Sequence, residues 1–175
     1  MKNANVVLYN SFLLRILEVK KEYALQKVYF HYADRKLTIA GKNKIKQTVE
    51  FLFRKEKLKL DKLNYVFCSD EYLLQINNQF LNHDFYTDII TFDLSETNKT
   101  IGEIYISLDR VKDNAIQRGV FFKEELLRVL FHGALHLCGY KDKKKTEIKI
   151  MRAKENYYIK AFHLIKKFPV EHLKG

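Results

Sequence analysis

The segment from Phe131 to Asp142 reads Phe-His-Gly-Ala-Leu-His-Leu-Cys-Gly-Tyr-Lys-Asp, and no other stretch restricts the possible folds of this chain so tightly. Leu126, Leu127, Leu130, Phe131, Ala134 and Leu135 recur at helical spacing, which predicts a helix over Lys123–Leu137 ended by Gly139. On that helix His132 and His136 stand four residues apart. Both imidazoles then share one face, a turn from each other, and can converge on one ion. Gly139 lets the chain double back. Asp142 falls ten positions after His132, the ligand spacing of the long zinc signature H-E-x-x-H-x-x-G-x-x-H with Asp in place of the third His. Zinc takes imidazole nitrogen and carboxylate oxygen alike, and a reactive zinc site keeps three protein ligands with a fourth position for water. The metal ligands expected are therefore His132, His136 and Asp142, holding one Zn2+ per chain, although other divalent ions accept the same donors. Cys138 competes as third ligand, but it follows His136 by only two residues and points away from the histidine stripe. Asp142 is preferred.

In the peptidase form of the signature, the residue after the first histidine is the glutamate general base. Gly133 stands there. This argues against peptide hydrolysis, and it also removes side-chain bulk beside the expected metal, admitting a larger substrate.

The formal net charge of +11 suits a polyanionic partner. Residues 1–60 carry 14 Lys/Arg against 5 Asp/Glu, residues 61–140 carry 7 against 12, and residues 141–175 carry 11 against 4. Basic ends flanking an acidic middle fit a surface that tracks phosphates. Cys68 and Cys138, the two cysteines, cannot build a disulfide framework and read as reduced thiols. No apolar run has the length of a membrane span. Val6–Leu17 is broken by Asn10, Ser11 and Arg15, and no small-residue cleavage site follows it, so no secretory leader is expected and the cytoplasm is the expected compartment.

With 175 residues, one proline and no linker-like tract, the chain is expected to form one domain. Residues 1–26 are set apart as an appendage of unknown role, in which Leu13, Leu14, Ile16, Leu17 and Val19 could line a short helix; the domain proper is 27–175. Within it Lys27–Asp34, Leu63–Cys68, Thr87–Leu94 and Ile101–Leu108 read as strands, the last two as an antiparallel hairpin. Helices are predicted over Gly41–Lys57, from the N-cap Ser69 to about Phe80, over Asp109–Arg118 with Gly119 ending it, and over Lys145–Leu164 with Ile148, Met151, Tyr158 and Phe162 inward. The expected fold class is α+β: a single small domain with about four strands in a mixed sheet packed against about five helices, the metal site at the end of a central helix.

The metal motif resembles that of the YbeY family of bacterial endoribonucleases, whose pattern H-G-x-L-H-L-x-G-Y-D-H is met here by H-G-A-L-H-L-C-G-Y-K-D. T-D-I-I-T-F at Thr87–Phe92 is similar to the family's T-D-V-L-S-F, and G-E-I at Gly102–Ile104 to its G-D-I. Met151 and Glu155 match a methionine and a glutamate that follow the motif. The resemblance covers about Lys27–Ile159. It implies a cytoplasmic, zinc-dependent, single-strand-specific endoribonuclease acting in 16S rRNA 3′-end maturation and ribosome quality control. The implied partners are single-stranded rRNA and the small ribosomal subunit, with no DNA and no membrane. Two positions depart from the family. Asp142 replaces its usual third histidine. Leu81 stands where the family has an arginine implicated in catalysis or RNA binding, and a leucine can neither hold a phosphate nor stabilise developing charge. His83 is a candidate substitute, weighed against its reading as an exposed loop histidine; otherwise the reacting group is water activated at the metal. Basic segments near 42–59 and 141–154 are expected to hold the RNA backbone. The rival to catalysis is a ribosome-assembly or RNA-binding factor whose zinc only staples the C-terminal helices, and a metallopeptidase is the third reading.

Overall fold

The computed structural model describes residues 26–164, so the short helix expected in the N-terminal appendage lies outside the described residues. Four strands and five helices follow one another as β1 (Val28–Tyr32), α1 (Lys42–Lys55), β2 (Lys59–Cys68), α2 (Asp70–Leu81), β3 (Ile89–Asp93), β4 (Lys99–Ser107), α3 (Leu108–Arg118), α4 (Phe122–Leu137) and α5 (Lys145–Leu164). The strands form one mixed sheet in the order β1-β2-β4-β3. β1, β2 and β4 run parallel, and β3 pairs antiparallel with β4, as the hairpin expectation had it. Local signals end the elements where expected. Ser69 Oγ accepts from Tyr72 N at 3.1 Å at the start of α2, and Gly119 ends α3 at φ 63°.

Strand alternation gives the sheet two faces. Leu63, Tyr65 and Phe67 of β2 sit level with Gly102, Ile104 and Ile106 of β4, and Thr91 and Ile89 of β3 extend those rows. This face carries the main core. α1 and α4 pack on the sheet and α5 lies against both helices, burying Val49, Leu52, Phe53, Leu130, Leu135 and Tyr158. The buried Tyr65 hydroxyl donates to the Leu130 carbonyl at 2.9 Å, so this polar group is satisfied where the sheet meets α4. On the other face Cys68 and Ile90 pack with Leu73 of α2 in a smaller cluster.

β2 begins at Lys59, ahead of the expected Leu63. Its pairing with β4 shifts register between Leu60 and Lys62, and this bulge puts Asp61 and Lys62 both outward. The bulge interrupts the period-2 signal that marks a strand. The inward positions of α5 also need one correction. Met151, Glu155, Tyr158 and Phe162 are buried, but Ile148 is 41% exposed. At 3.6 residues per turn it falls roughly 50° from the centre of that stripe, in the first turn of the helix.

At one point α4 lies very close to the sheet. A Cβ on Gly133 would stand 2.7 Å from Ile89 Cδ1 and 2.9 Å from Ile104 Cγ2, and one on Gly102 would stand 2.4 Å from Leu137 Cδ1. Each glycine leaves room for a side chain of the other element. This overturns the expectation that Gly133 opens space beside the metal. Position 133 is turned roughly a quarter-turn from the histidines, and its bare side faces β3 and β4.

Candidate metal centre

The end of α4 builds the site. Gly139 adopts φ 88°, its N–H donates to the His136 carbonyl at 2.9 Å, and Tyr140 N–H donates to the Leu135 carbonyl at 3.1 Å. This is the Schellman pairing, which satisfies the last carbonyls and turns the chain back over the helix end. The turn delivers two groups to the histidines. The Tyr140 carbonyl lies 2.9 Å from His136 Nδ1. Asp142 Oδ2 lies 3.4 Å from His132 Nε2 and 3.6 Å from His136 Nε2. Ligand atoms of His132, His136 and Asp142 all fall within 4.8 Å of one another, the one such grouping found among the described residues.

Outer partners decide which nitrogens face inward. A carbonyl only accepts, so His136 Nδ1 carries the proton. His132 Nδ1 stands 2.8 Å from Glu155 Oε1 and donates to that carboxylate. The two Nε2 atoms then face each other at 2.9 Å, lone pair toward lone pair, a geometry that requires positive charge between or beside them. A shared proton or a metal cation meets that requirement, and Asp142 adds an anionic oxygen on the same side. Two imidazole nitrogens and one carboxylate oxygen fit the donor set of a three-ligand zinc site.

Electrostatics favour ligation. Burial, with His132 adding to it, holds the His136 pKa below its ordinary value, which favours the neutral form that a metal ligand needs. Burial pushes the Glu155 carboxyl up, but hydrogen bonds from His132 and Arg128 outweigh it and the pKa ends below the ordinary value. Glu155 is therefore an ionised acceptor that orients His132, the partner that metal-binding histidines ordinarily have. Cys138 stays outside this group; burial, with Glu56 nearby, pushes its thiol up to about 12.

The cavities flank the triad. On the His136 side a cleft of about 500 Å³ runs along the edge strand β3, past Ile89, Thr91, His83, Phe85 and Lys143. His83 lies in this cleft rather than at the triad, and its ring stacks on Phe85 at 5.0 Å with an interplanar angle of 25°. Leu81 lines the same wall, so the position expected from the resemblance to match the family's arginine is apolar. On the His132 side a cavity of about 190 Å³ is lined by Arg118, Arg128 and Arg152 together with Glu125 and Glu155. Sequence reasoning missed this cluster. Its members come from three helices, and no local motif joins them.

Fold and site together define a small α+β domain with a two-histidine, one-carboxylate centre at the end of its central helix. The chain belongs to the family described as Endoribonuclease YbeY, whose model matches residues 29–163. It is 52% identical over 130 residues to Endoribonuclease YbeY of Cytophaga hutchinsonii, covering 74% of this chain and 91% of that protein. Against Endoribonuclease YbeY of Karelsulcia muelleri the identity is 43% over 138 residues, 79% of this chain and 96% of that one. The solution structure of TM1509 from Thermotoga maritima is similar at a TM-score of 0.53 and 28% identity, covering 78% of this chain and 87% of that chain.

Proposed function

We propose that this chain is a zinc-dependent, single-strand-specific endoribonuclease of the cytoplasm, acting on the small ribosomal subunit in 16S rRNA 3′-end maturation and ribosome quality control. The observation that carries the reading is the pair of Nε2 atoms at 2.9 Å with Asp142 Oδ2 beside them, in a chain whose relatives are named as endoribonucleases. Residues 27–175 are the functional domain in this reading, with 1–26 an appendage to it.

His132, His136 and Asp142 would hold the ion, and zinc bound there supplies Lewis acidity to a phosphoryl oxygen or to water. The protein's own residues set the geometry. Glu155 and the Tyr140 carbonyl each hold a proton on Nδ1, keeping both Nε2 atoms free as ligands. Lys143, on the wall of the β3 cleft, can neutralise a phosphate. Phe85, 57% exposed, offers a face for an unpaired base to stack on. Bases in a duplex are already stacked and cannot reach such a wall, so the cleft favours a single strand. Gly133 carries no base for peptide hydrolysis, and a side chain at that position would run into Ile89 and Ile104.

Leu81 is the observation that favours a second reading, since its wall of the cleft carries no cation in the family arginine's place. In that reading the chain is an RNA-binding assembly factor whose ion only ties the segment carrying Asp142 to α4. One experiment separates the two. A labelled single-stranded RNA with the 16S 3′-end sequence is incubated with wild type and with His136→Ala, with and without zinc. Zinc-dependent internal cleavage by wild type alone is expected. If the folded variant still binds RNA and supports rRNA maturation in cells, the second reading replaces the first. A 2′,3′-cyclic phosphate on the product would identify the 2′-hydroxyl as nucleophile in place of water.

A further inference from the structure

We propose that Arg118, Arg128 and Arg152 form a phosphate-binding subsite that takes a backbone phosphodiester of the RNA strand beside the metal centre. The inference rests on the reading of that centre as an RNA-cleaving site and adds to it where the strand is held. The three guanidiniums come from α3, α4 and α5 and line one cavity of about 190 Å³, whose wall also includes His132 and Asp142. The lysine-bearing cleft opens on the other side, at His136. A strand crossing the triad therefore leaves the cleft and meets the arginines.

Two carboxylates hold these arginines in place. The Glu125 and Glu155 side chains are each 2% exposed. Glu125 stands 3.4 Å from Arg118 Nε and 3.7 Å from Arg128 Nε. Glu155 accepts from Arg128 Nη1 at 3.0 Å and from Arg152 Nη1 at 3.3 Å. Taking two carboxylates and their partners out of water is often no better for stability than an apolar core of the same shape, so such a cluster needs a reason beyond stability. Glu125 Oε2 is buried and pairs only loosely with Arg128 Nε at 3.7 Å, making no hydrogen bond among the described residues.

The donor inventory supplies the reason. A guanidinium carries five N–H donors in a rigid fork. Arg128 Nη1 serves Glu155 and also Asn156 Oδ1 at 2.9 Å, while Arg118 and Arg152 each contact a single carboxylate through one nitrogen. Donors remain on all three, already held at one edge, and less side-chain freedom is lost when a ligand binds. Three guanidiniums meet four carboxylates on this wall, since Asp88 and Asp142 join Glu125 and Glu155, and a divalent ion held at the triad brings the sum to one positive charge in excess. Of these acids, Asp88 accepts from Asn114 at 3.0 Å, and Asp142 faces the imidazoles. One surplus charge matches one phosphodiester, and a fork geometry matches its two free oxygens. The cation missing at Leu81 is thus supplied from the opposite side of the triad.

The salt dependence of RNA binding tests this. A short single-stranded RNA with 2′-O-methyl riboses is titrated into zinc-loaded wild type, Arg118→Ala and Arg152→Ala by fluorescence anisotropy at several salt concentrations. Loss of one phosphate contact is expected to weaken binding roughly tenfold and to reduce the slope of log K against log[salt] by about 0.7. Arg118→Lys should restore the slope and only part of the affinity, because a point charge replaces a fork. Zinc titration calorimetry on Arg118→Ala should match wild type, since this arginine touches none of the ligands. Wild-type slope and affinity in both alanine variants would overturn the subsite while leaving the metal centre's role intact. A wild type that takes up zinc but binds no RNA would overturn the nuclease reading and the subsite with it. Binding of orthophosphate that is lost in Arg118→Ala, with RNA slopes unchanged, would mean a site for free phosphate and would overturn the assignment to the RNA backbone.

Discussion

At Asp142 one side chain separates the proposed metal centre from a mere pair of hydrogen-bonded histidines. Its carboxylate offers the third potential ligand atom and the one anionic charge of the grouping. Asp142→Ala is expected to lower zinc affinity beyond the roughly 10–100-fold typical of losing an outer partner, read by competition against a calibrated chelator. Asp142→His restores a competent donor at the same place and should recover most of the affinity. A variant that binds zinc as tightly as wild type with alanine at 142 would remove Asp142 from the site. The convergence of the two histidines and Asp142 was legible in the sequence because four- and ten-residue spacings around a helix end are local geometry. Glu155 was legible only as a match to a family pattern. Its bond to His132 Nδ1 spans 23 positions and follows from how α5 crosses α4, which no periodicity states.

Among the elements, α4 depends on its approach to the sheet and on the tie to its C-terminal turn. Gly133→Ala forces a methyl into Ile89 and Ile104. Overpacking of this kind costs about 1–3 kcal/mol, to be measured by urea denaturation; a neutral result would mean that α4 can shift without loss. The tie is Glu56, just past α1, which accepts from Tyr140 at 2.7 Å, from Lys154 at 2.8 Å and from Tyr158. Burial pushes the Glu56 carboxyl up, but these donors outweigh it and its pKa ends below the ordinary value. A carboxylate with a depressed folded pKa stabilises above its unfolded pKa of about 4.3, and that contribution is lost as pH falls through the folded value. The urea midpoint should therefore drop between about pH 5 and 3, more steeply for wild type than for Glu56→Gln. Parallel profiles for the two proteins would assign the acid sensitivity to other groups. The helices and the β3–β4 hairpin were readable from caps, glycines and alternation. The start of β2 was not, because its bulge mimics a loop in the pattern.

For the whole molecule, a ligand that binds only the folded chain raises its stability. Zinc at a hundredfold excess over its dissociation constant adds about 2.7 kcal/mol, which for a domain of this size raises Tm by roughly 5–10 °C. Calorimetry with zinc, with a chelator, and on Asp142→Ala checks this; an equal Tm in all three would show that no ion is bound by the native state. The expected mixed sheet and surrounding helices are the architecture observed, but the order β1-β2-β4-β3 was not written in the pattern. Strand order depends on where each helix returns the chain, and the same alternation serves several orders.

The chain's own residues dictate what is local: the helix carrying His132 and His136, the left-handed turn at Gly139, and the return of Asp142. Those features need only neighbouring backbone geometry and side-chain spacing. Which way Gly133 faces, which acid orients His132, and the gathering of three arginines beside the triad were decided by tertiary structure. Each of these depends on distant segments meeting at a helix crossing or against a strand, and a linear pattern does not carry that information.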